Sequence, residues 1–343
     1  MNNRSIGGLG NTLFAFGLVS WATMPLIFAQ DGETQAQARA REYPSLPETV
    51  ERRAVTIWSD GTRMAGDLYL PKNRKPTDKL PAIIFANGTG GVKRRLPTRM
   101  GPVFADNGYA FLAFDYRGWG ESDGKLMVLE PTPSPNEKGV VTVKARVIRW
   151  QIDFADQTED IRNAIAFVSG EPAVDASKIG LFGTSYGGGL VTWVAAHEPR
   201  VRCLVMQVPG MAAGRSGKDS FPPYVLKIKQ TRGETEPVPD KTQRRGKKGS
   251  RYHHMRYNTA KSIEYVPVEA ASKIKAPTLI VDAEKEELLN VNRNGKLVAD
   301  ILKKQGRTVS YHVLKGASHY SIYKENFEDA LKIEIDWFNQ HLK

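Results

Sequence analysis

Gly183-Thr184-Ser185-Tyr186-Gly187 is the stretch of this sequence whose residue types and spacing can do covalent chemistry. A strand-like apolar run, Ile179 to Phe182, leads into it, and a helix-like run, Leu190 to Ala196, leads out. Gly-x-Ser-x-Gly between a strand and a helix describes a very tight turn. Side chains two residues either side of the serine would collide with the flanking elements, which is why both positions are glycine. The turn lifts the Ser185 hydroxyl clear of the backbone, and the helix N-terminus behind it favours developing negative charge.

A serine hydroxyl is a weak nucleophile near neutral pH, so it needs a base, and the base needs an acid that orients it. There are six histidines. His197 closes the helix after the serine, His253 and His254 lie in a basic stretch, His312 falls within the last strand pattern, and His341 is near the chain end. His319, in Gly316-Ala317-Ser318-His319-Tyr320, lies in a short loop directly after the final strand and is the candidate base. Asp282, Glu284, Glu286 and Glu287 crowd the loop after the preceding strand. Asp282 is the last strand residue, whereas Glu286 has the reach to meet His319, so Glu286 is favoured as the acid and Asp282 is the second choice. The tetrahedral intermediate of acyl transfer needs backbone N–H donors waiting for its oxyanion. Tyr186, the residue after the nucleophile, should supply one. The Asn87–Gly91 turn should supply the other, from Thr89, with Gly88 and Gly90 as alternatives.

Ala54 to Trp58 and Met64 to Leu70 read as an antiparallel hairpin around Ser59-Asp60-Gly61-Thr62. Pro81–Ala86, Tyr109–Phe114, Val201–Val208, Pro277–Asp282 and Val309–Leu314 read as further strands, the first as one buried on both faces. A segment with Met100, Val103, Phe104 and Ala105 on one side, then Asp156–Ser169, Val291–Lys303 and Phe327–His341, read as helices. The alternation indicates an α/β fold with a mostly parallel sheet covered on both faces. Two stretches break the rhythm. Residues 125–152 carry Pro131, Pro133 and Pro135. Residues 211–262 hold 13 Lys/Arg against 4 Asp/Glu, most of the net charge of +12.

With 343 residues, the chain is long enough for one large domain with insertions or two small ones. Its single cysteine, Cys203, excludes an intrachain disulfide and reads as a buried strand residue. Arg4, the apolar run Leu13–Ala29 and Ile27-Phe28-Ala29 before Gln30 have the layout of a secretory signal over residues 1–29, with an uncleaved membrane anchor as the alternative, and imply a periplasmic or secreted protein. Residues 30–52 read as a polar extension. No second long apolar run follows, so no stable membrane span is expected once the signal is removed, and no nucleic-acid motif is present.

Over residues 53–343 the sequence resembles the α/β-hydrolase superfamily. The carriers are Gly183 to Gly188, the run Asp115-Tyr116-Arg117-Gly118-Trp119-Gly120-Glu121-Ser122, Glu286, and Gly316 to His319. Within it, the chain is similar to the dienelactone-hydrolase-like and Xaa-Pro-dipeptidyl-peptidase (cocaine-esterase-like) groups. The resemblance implies hydrolysis of esters, lactones, thioesters or, less often, amides, without metal or organic cofactor. It also implies that 211–262 forms a cap over the site. Tyr224, Tyr252, Tyr257, Trp119, Trp150, Tyr186 and Tyr320 either line a pocket beneath it or pack it onto the body, and the run Arg244 to Lys248 reads as a solvated loop, with steering of an anionic substrate or attachment to an anionic envelope polymer as the alternatives. Asn87, Trp119 and Tyr320 are the candidate pocket residues nearest the chemistry. Two departures stand out: the oxyanion turn begins Asn87-Gly88 where His-Gly is usual, and the acid is Glu where Asp is commoner. A small-molecule or acylated ester is the expected substrate. A peptidase would be expected to carry a large extra domain. A non-catalytic binding protein would be expected to have lost Ser185, His319 or the acid. Oligomeric state is not legible.

Overall fold

The computed structural model describes residues 43–211, 223–236 and 255–343. β1 (Val50–Ser59) and β2 (Thr62–Pro71) pair antiparallel, with Ser59 opposite Thr62. That register leaves two residues to reverse the chain. Asp60 and Gly61 both hold positive φ, 46° and 73°, the handedness that matches the twist of a hairpin. β1 starts inside the stretch read as an extension. Tyr43 is tied down just before it: its hydroxyl donates to Asp67 Oδ2 at 2.6 Å, and the Arg52 guanidinium sits 3.4 Å over its ring.

β3 (Leu80–Ala86), α1 (Pro97–Asp106) and β4 (Ala110–Phe114) follow. β5 (Leu126–Val128), β6 (Ala145–Val147) and β7 (Gln151–Ile152) precede α2 (Phe154–Ser169), whose N-cap is Asp153. Then come β8 (Val174–Thr184), α3 (Tyr186–His197), β9 (Val201–Gln207), α4 (Pro223–Thr231), β10 (Arg256–Tyr257) and α5 (Pro267–Ala270). β11 (Thr278–Lys285), α6 (Gly295–Lys304), β12 (Val309–Ser318) and α7 (Phe327–His341) complete the order. Eight strands form one sheet, β1-β2-β4-β3-β8-β9-β11-β12, and every neighbouring pair from β4 onward is parallel. The architecture is the α/β-hydrolase fold expected from the sequence.

The parallel strands bury both faces, so their side chains divide between two cores. Ile84, Leu112, Leu181, Leu204 and Ile280 pack with α2, α3 and α6. Ile83, Phe85, Phe111, Val205 and Leu279 pack with α1 and α7. Cys203 lies in the second core, where burial pushes its thiol up to about 12, out of the range of a reactive thiolate.

The two irregular stretches stay out of the main sheet. β5 and β6 make a separate ribbon, and β7 pairs in parallel with β10, so the two insertions meet. The segment expected as one helix over 291–303 is broken: a short 3-10 turn, Val291–Arg293, ends at Asn294 (φ −127°, ψ −112°) before α6 begins. At this break Asn294 Oδ1 accepts the Met211 N–H at 2.6 Å and its Nδ2 donates to Asn290 O at 2.8 Å. No helix among the described residues is long and apolar enough to cross a membrane. Residues 1–42, and with them the expected signal, lie outside the described residues.

One residue breaks the amphipathic pattern of α7. Glu334 is fully buried, and burial holds its carboxyl well above the ordinary value of 4.5. A raised carboxyl contributes stability that is complete below the unfolded value and is lost as pH rises toward the folded one. Each pH unit in that interval costs about 1.4 kcal/mol. Glu334→Gln should therefore match the parent protein in denaturant melts near pH 4.5 and become progressively the more stable of the two toward pH 8. A constant difference across pH would show that Glu334 is ionised in the fold.

Candidate active site

Ser185 stands between the end of β8 and the start of α3, with φ 49° and ψ −119°. A non-glycine residue there carries strain of about 1–3 kcal/mol, sustained when surrounding structure over-determines the conformation. The surroundings do so here. The Ser185 N–H donates to Gln207 O at 2.9 Å, and its carbonyl accepts from Gly188 and Gly210. A Cβ on Gly183 would lie 2.5 Å from Val191 Cγ2, and one on Gly187 would lie 2.1 Å from Ala86 O. The helix and β3 are therefore packed as closely on the turn as the two glycines allow.

Strand register then delivers the other groups. Ala86 pairs with Gly183, so the Asn87–Gly91 turn leaves β3 beside the serine. A Cβ on Gly88 would sit 3.2 Å from Ser185 Cβ. Thr89 follows in the same turn, which the Gly91 N–H closes on Gly88 O at 2.9 Å. Tyr186, first in its helix, has no intrahelical acceptor for its N–H. On the far side, β11 and β12 pair through Ala283 and Leu314, slip, and pair again at Lys285 and Ser318. The slip sets Glu286 and His319, the next residue on each chain, against one another.

His319 Nδ1 lies 2.9 Å from both Glu286 carboxylate oxygens, and its Nε2 lies 3.1 Å from Ser185 Oγ. A carboxylate can only accept, so Nδ1 carries the proton and Nε2 presents its lone pair to the serine hydroxyl. The Glu286 and His319 side chains are each 3 % exposed. Burial alone would raise Glu286, but hydrogen bonds from His319 and from the Leu288 and Leu289 N–H groups outweigh it and hold the carboxyl below its ordinary range. Glu287 Oε2 accepts the His319 backbone N–H at 2.9 Å. Asp282, the alternative acid, is also buried, but its carboxyl hydrogen-bonds Tyr311 and faces Gly295 at the start of α6. Burial raises it to about 7.

Two expected pocket residues belong to the packing instead. Trp119 has no exposed surface. Its ring lies between Tyr116, Trp150 and Tyr186, and its Nε1–H donates to Gln151 O at 2.8 Å. Asn87 is 3 % exposed and donates from Nδ2 to Phe114 O at 3.3 Å, tying the Asn87–Gly91 turn to β4. Tyr320, 57 % exposed and edge-on to His319, stands at the rim. Tyr186 directs its hydroxyl inward to Gln157 Oε1, Tyr257 packs on the core, and Tyr224 is 65 % exposed. Tyr252, His253, His254 and the run Arg244 to Lys248 lie outside the described residues. Among the described residues, no group of three or more acidic, histidine or cysteine side chains is placed to hold a metal.

Sequence reasoning named Glu287 only as one of four acids in its loop and did not reach Gln207 or Tyr323, yet all three surround the same serine and histidine. The Thr184 hydroxyl lies 2.7 Å from that of Tyr323 and 3.2 Å from Gln207 Oε1. Asp115, in the segment after β4, accepts the Lys93 N–H at 2.7 Å and the Glu121 N–H at 2.8 Å, which braces the far end of the loop that leaves β3. Burial raises its carboxyl to about 6 against these two donors.

The sequence matches the model of the prolyl oligopeptidase family over residues 153–343 and that of the X-Pro dipeptidyl-peptidase (S15) family over residues 60–222. An uncharacterized 31.7 kDa protein of the traX-finO intergenic region of Escherichia coli is 29% identical over 290 residues, 77% of this chain and 92% of that protein. The quorum-quenching protein AidA of Acinetobacter baumannii is 30% identical over 174 residues, 51% of this chain and 49% of its own. Among solved structures, a hypothetical protein of Pseudomonas aeruginosa superimposes with a TM-score of 0.63 at 22% identity, over 88% of this chain and 96% of that one.

Proposed function

Because the chain belongs to the prolyl oligopeptidase family and has the α/β-hydrolase fold, we propose that it is a serine hydrolase that cleaves a carboxylic ester through an acyl-enzyme. The observation that carries this reading is His319 held between Glu286 and Ser185 at hydrogen-bonding distance on both sides. His319 Nε2 takes the Ser185 proton as Oγ attacks the ester carbonyl. Glu286 stabilises the imidazolium that forms. The N–H groups of Tyr186 and Thr89 receive the oxyanion. The tetrahedral intermediate collapses with His319 protonating the leaving alkoxide. A water, deprotonated by the same nitrogen, then releases the acid and restores Ser185. No step asks for a metal or organic cofactor.

The expected substrate is a small or acylated molecule, and the positive excess in residues 211–262 supports an anionic one. The composition of residues 1–29 supports export to the periplasm or beyond. A second reading, cleavage of a peptide bond, is favoured by the peptidase families whose models match.

Protein purified without residues 1–29 should hydrolyse p-nitrophenyl esters between acetate and decanoate, and a fluorophosphonate should add its mass at Ser185. Faster turnover of an amide isostere than of the matching ester would replace the ester reading with the peptidase one. Absence of both turnover and labelling would remove the hydrolase assignment.

A further inference from the structure

Behind the serine lies a chain of four polar side chains that the acyl-transfer mechanism does not use. Gln207, at the end of β9, is 3 % exposed, and its backbone carbonyl is the acceptor that holds the Ser185 N–H. Its side-chain Nε2 donates to Glu334 Oε1 on α7 at 2.9 Å. Its Oε1 lies 3.2 Å from the hydroxyl of Thr184, the residue before the nucleophile. The Thr184 oxygen in turn lies 2.7 Å from the hydroxyl of Tyr323. Tyr323 stands in the turn after His319, with its ring edge-on to the imidazole at a centroid distance of 6.0 Å.

Proton counting fixes the sense of the chain. Gln207 Oε1 can only accept, so the single Thr184 proton is directed to it. The Thr184 oxygen is then free to receive the proton of Tyr323. The chain therefore runs Tyr323 to Thr184 to Gln207 to Glu334, with each of the first three spending one donor on the next. It ties the turn after the base to the strand that leads into the nucleophile, and anchors both on α7 through the buried Glu334 carboxyl.

We propose that Tyr323 and Thr184 are positioning residues that set the separation of Ser185 and His319 through this chain. The proposal rests on the serine-hydrolase reading above. Its physical basis is geometric: Ser185 and His319 directly follow different strands, β8 and β12, with two others between them in the sheet, and a proton transfer across 3.1 Å is lost with small displacements.

The test uses Tyr323→Phe and Thr184→Val, each of which removes a hydroxyl while keeping shape, with Thr184→Ser as the variant that keeps the hydroxyl. The readouts are the rate of Ser185 labelling by a small fluorophosphonate and the split between kcat and KM on the best p-nitrophenyl ester. Both hydroxyl-deleted variants should label about ten-fold more slowly and lose kcat by a similar factor at unchanged KM, about the worth of one hydrogen bond. The double variant should be no slower than either single one, and Thr184→Ser should recover most of the loss relative to Thr184→Val. Melting temperature, followed alongside, separates misfolding from mispositioning. Parent-like labelling in both variants, or additive losses in the double variant, overturns the proposal while leaving the hydrolase reading intact. Failure of the parent protein to label at Ser185 overturns both.

Discussion

Ser185→Ala, His319→Ala and the double variant should all lose about 10⁴- to 10⁶-fold in kcat, and the double should be no slower than the worse of the singles. Residues that act on one proton in one step are not independent. Once Ser185 has no hydroxyl, the lone pair on His319 Nε2 has nothing to deprotonate, and once the imidazole is gone the hydroxyl has no base. Residual turnover should track the oxyanion donors and binding alone. Ser185→Ala should melt within about a few degrees of the parent, because the Oγ hydrogen bond is made to His319 and the turn itself is held by backbone contacts to Gln207, Gly188 and Gly210. The assay is stopped-time hydrolysis of the preferred ester at enzyme concentrations high enough to detect the residual rate. Near-parent turnover by Ser185→Ala would remove the serine from the mechanism, and multiplicative losses in the double variant would mean that Ser185 and His319 serve different steps.

What could be read from the sequence divides by the range of the forces involved. The turn around Ser185 is legible because its constraint is local: with Ala86 O 2.1 Å from any Cβ at position 187, only glycine fits, and the strand and helix patterns flank it directly. The hairpin at Asp60-Gly61 and the helix Phe327–His341 are legible for the same reason, since turn handedness and helical spacing are written in consecutive residues. His319 stands out by elimination among six histidines, and Glu286 by its distance beyond a strand end. Local pattern says nothing of the slip between Ala283 and Lys285 that sets the two side by side, because the slip belongs to a pair of strands. Thr184, Gln207, Tyr323 and Glu334 converge from sequence separations as large as 139 residues, with ordinary neighbours around each. Trp119 and Asn87 show the opposite failure. An aromatic ring beside a catalytic motif and an amide beside an oxyanion turn look the same in sequence whether they face a ligand or the core. Here both are consumed in holding loops that the chemistry needs still.

The choice between two buried carboxyls gives the second large effect. Glu286→Gln should lower kcat by about 10⁴-fold, and Asp282→Asn should stay within about three-fold of the parent. The asymmetry follows from what each oxygen accepts. Glu286 Oε1 takes the Leu288 and Leu289 N–H groups at 2.9 and 3.0 Å, so a glutamine must place its carbonyl there and turn its NH₂ to the Oε2 position. That NH₂ then lies 2.9 Å from His319 Nδ1, where it competes with the carbonyl, also 2.9 Å away, and favours the tautomer with the imidazole proton on Nε2. In that tautomer Nε2 is a donor and cannot take the Ser185 proton, even with the fold undisturbed. Raising the pH does not rescue the variant, since the fault is the location of the proton and not its loss. Asp282, by contrast, spends its hydrogen bond on Tyr311, and an amide there leaves the imidazole tautomer unchanged. Nitrogen-resolved NMR of the imidazole, alongside kcat/KM between pH 6 and 9, reads both halves of the argument. The parent should show Nδ1 protonated and Nε2 bare, Glu286→Gln should show the reverse, and Asp282→Asn should match the parent. Equal losses in the two variants would make the acid a shared pair, and loss in Asp282→Asn alone would transfer the orienting role to Asp282.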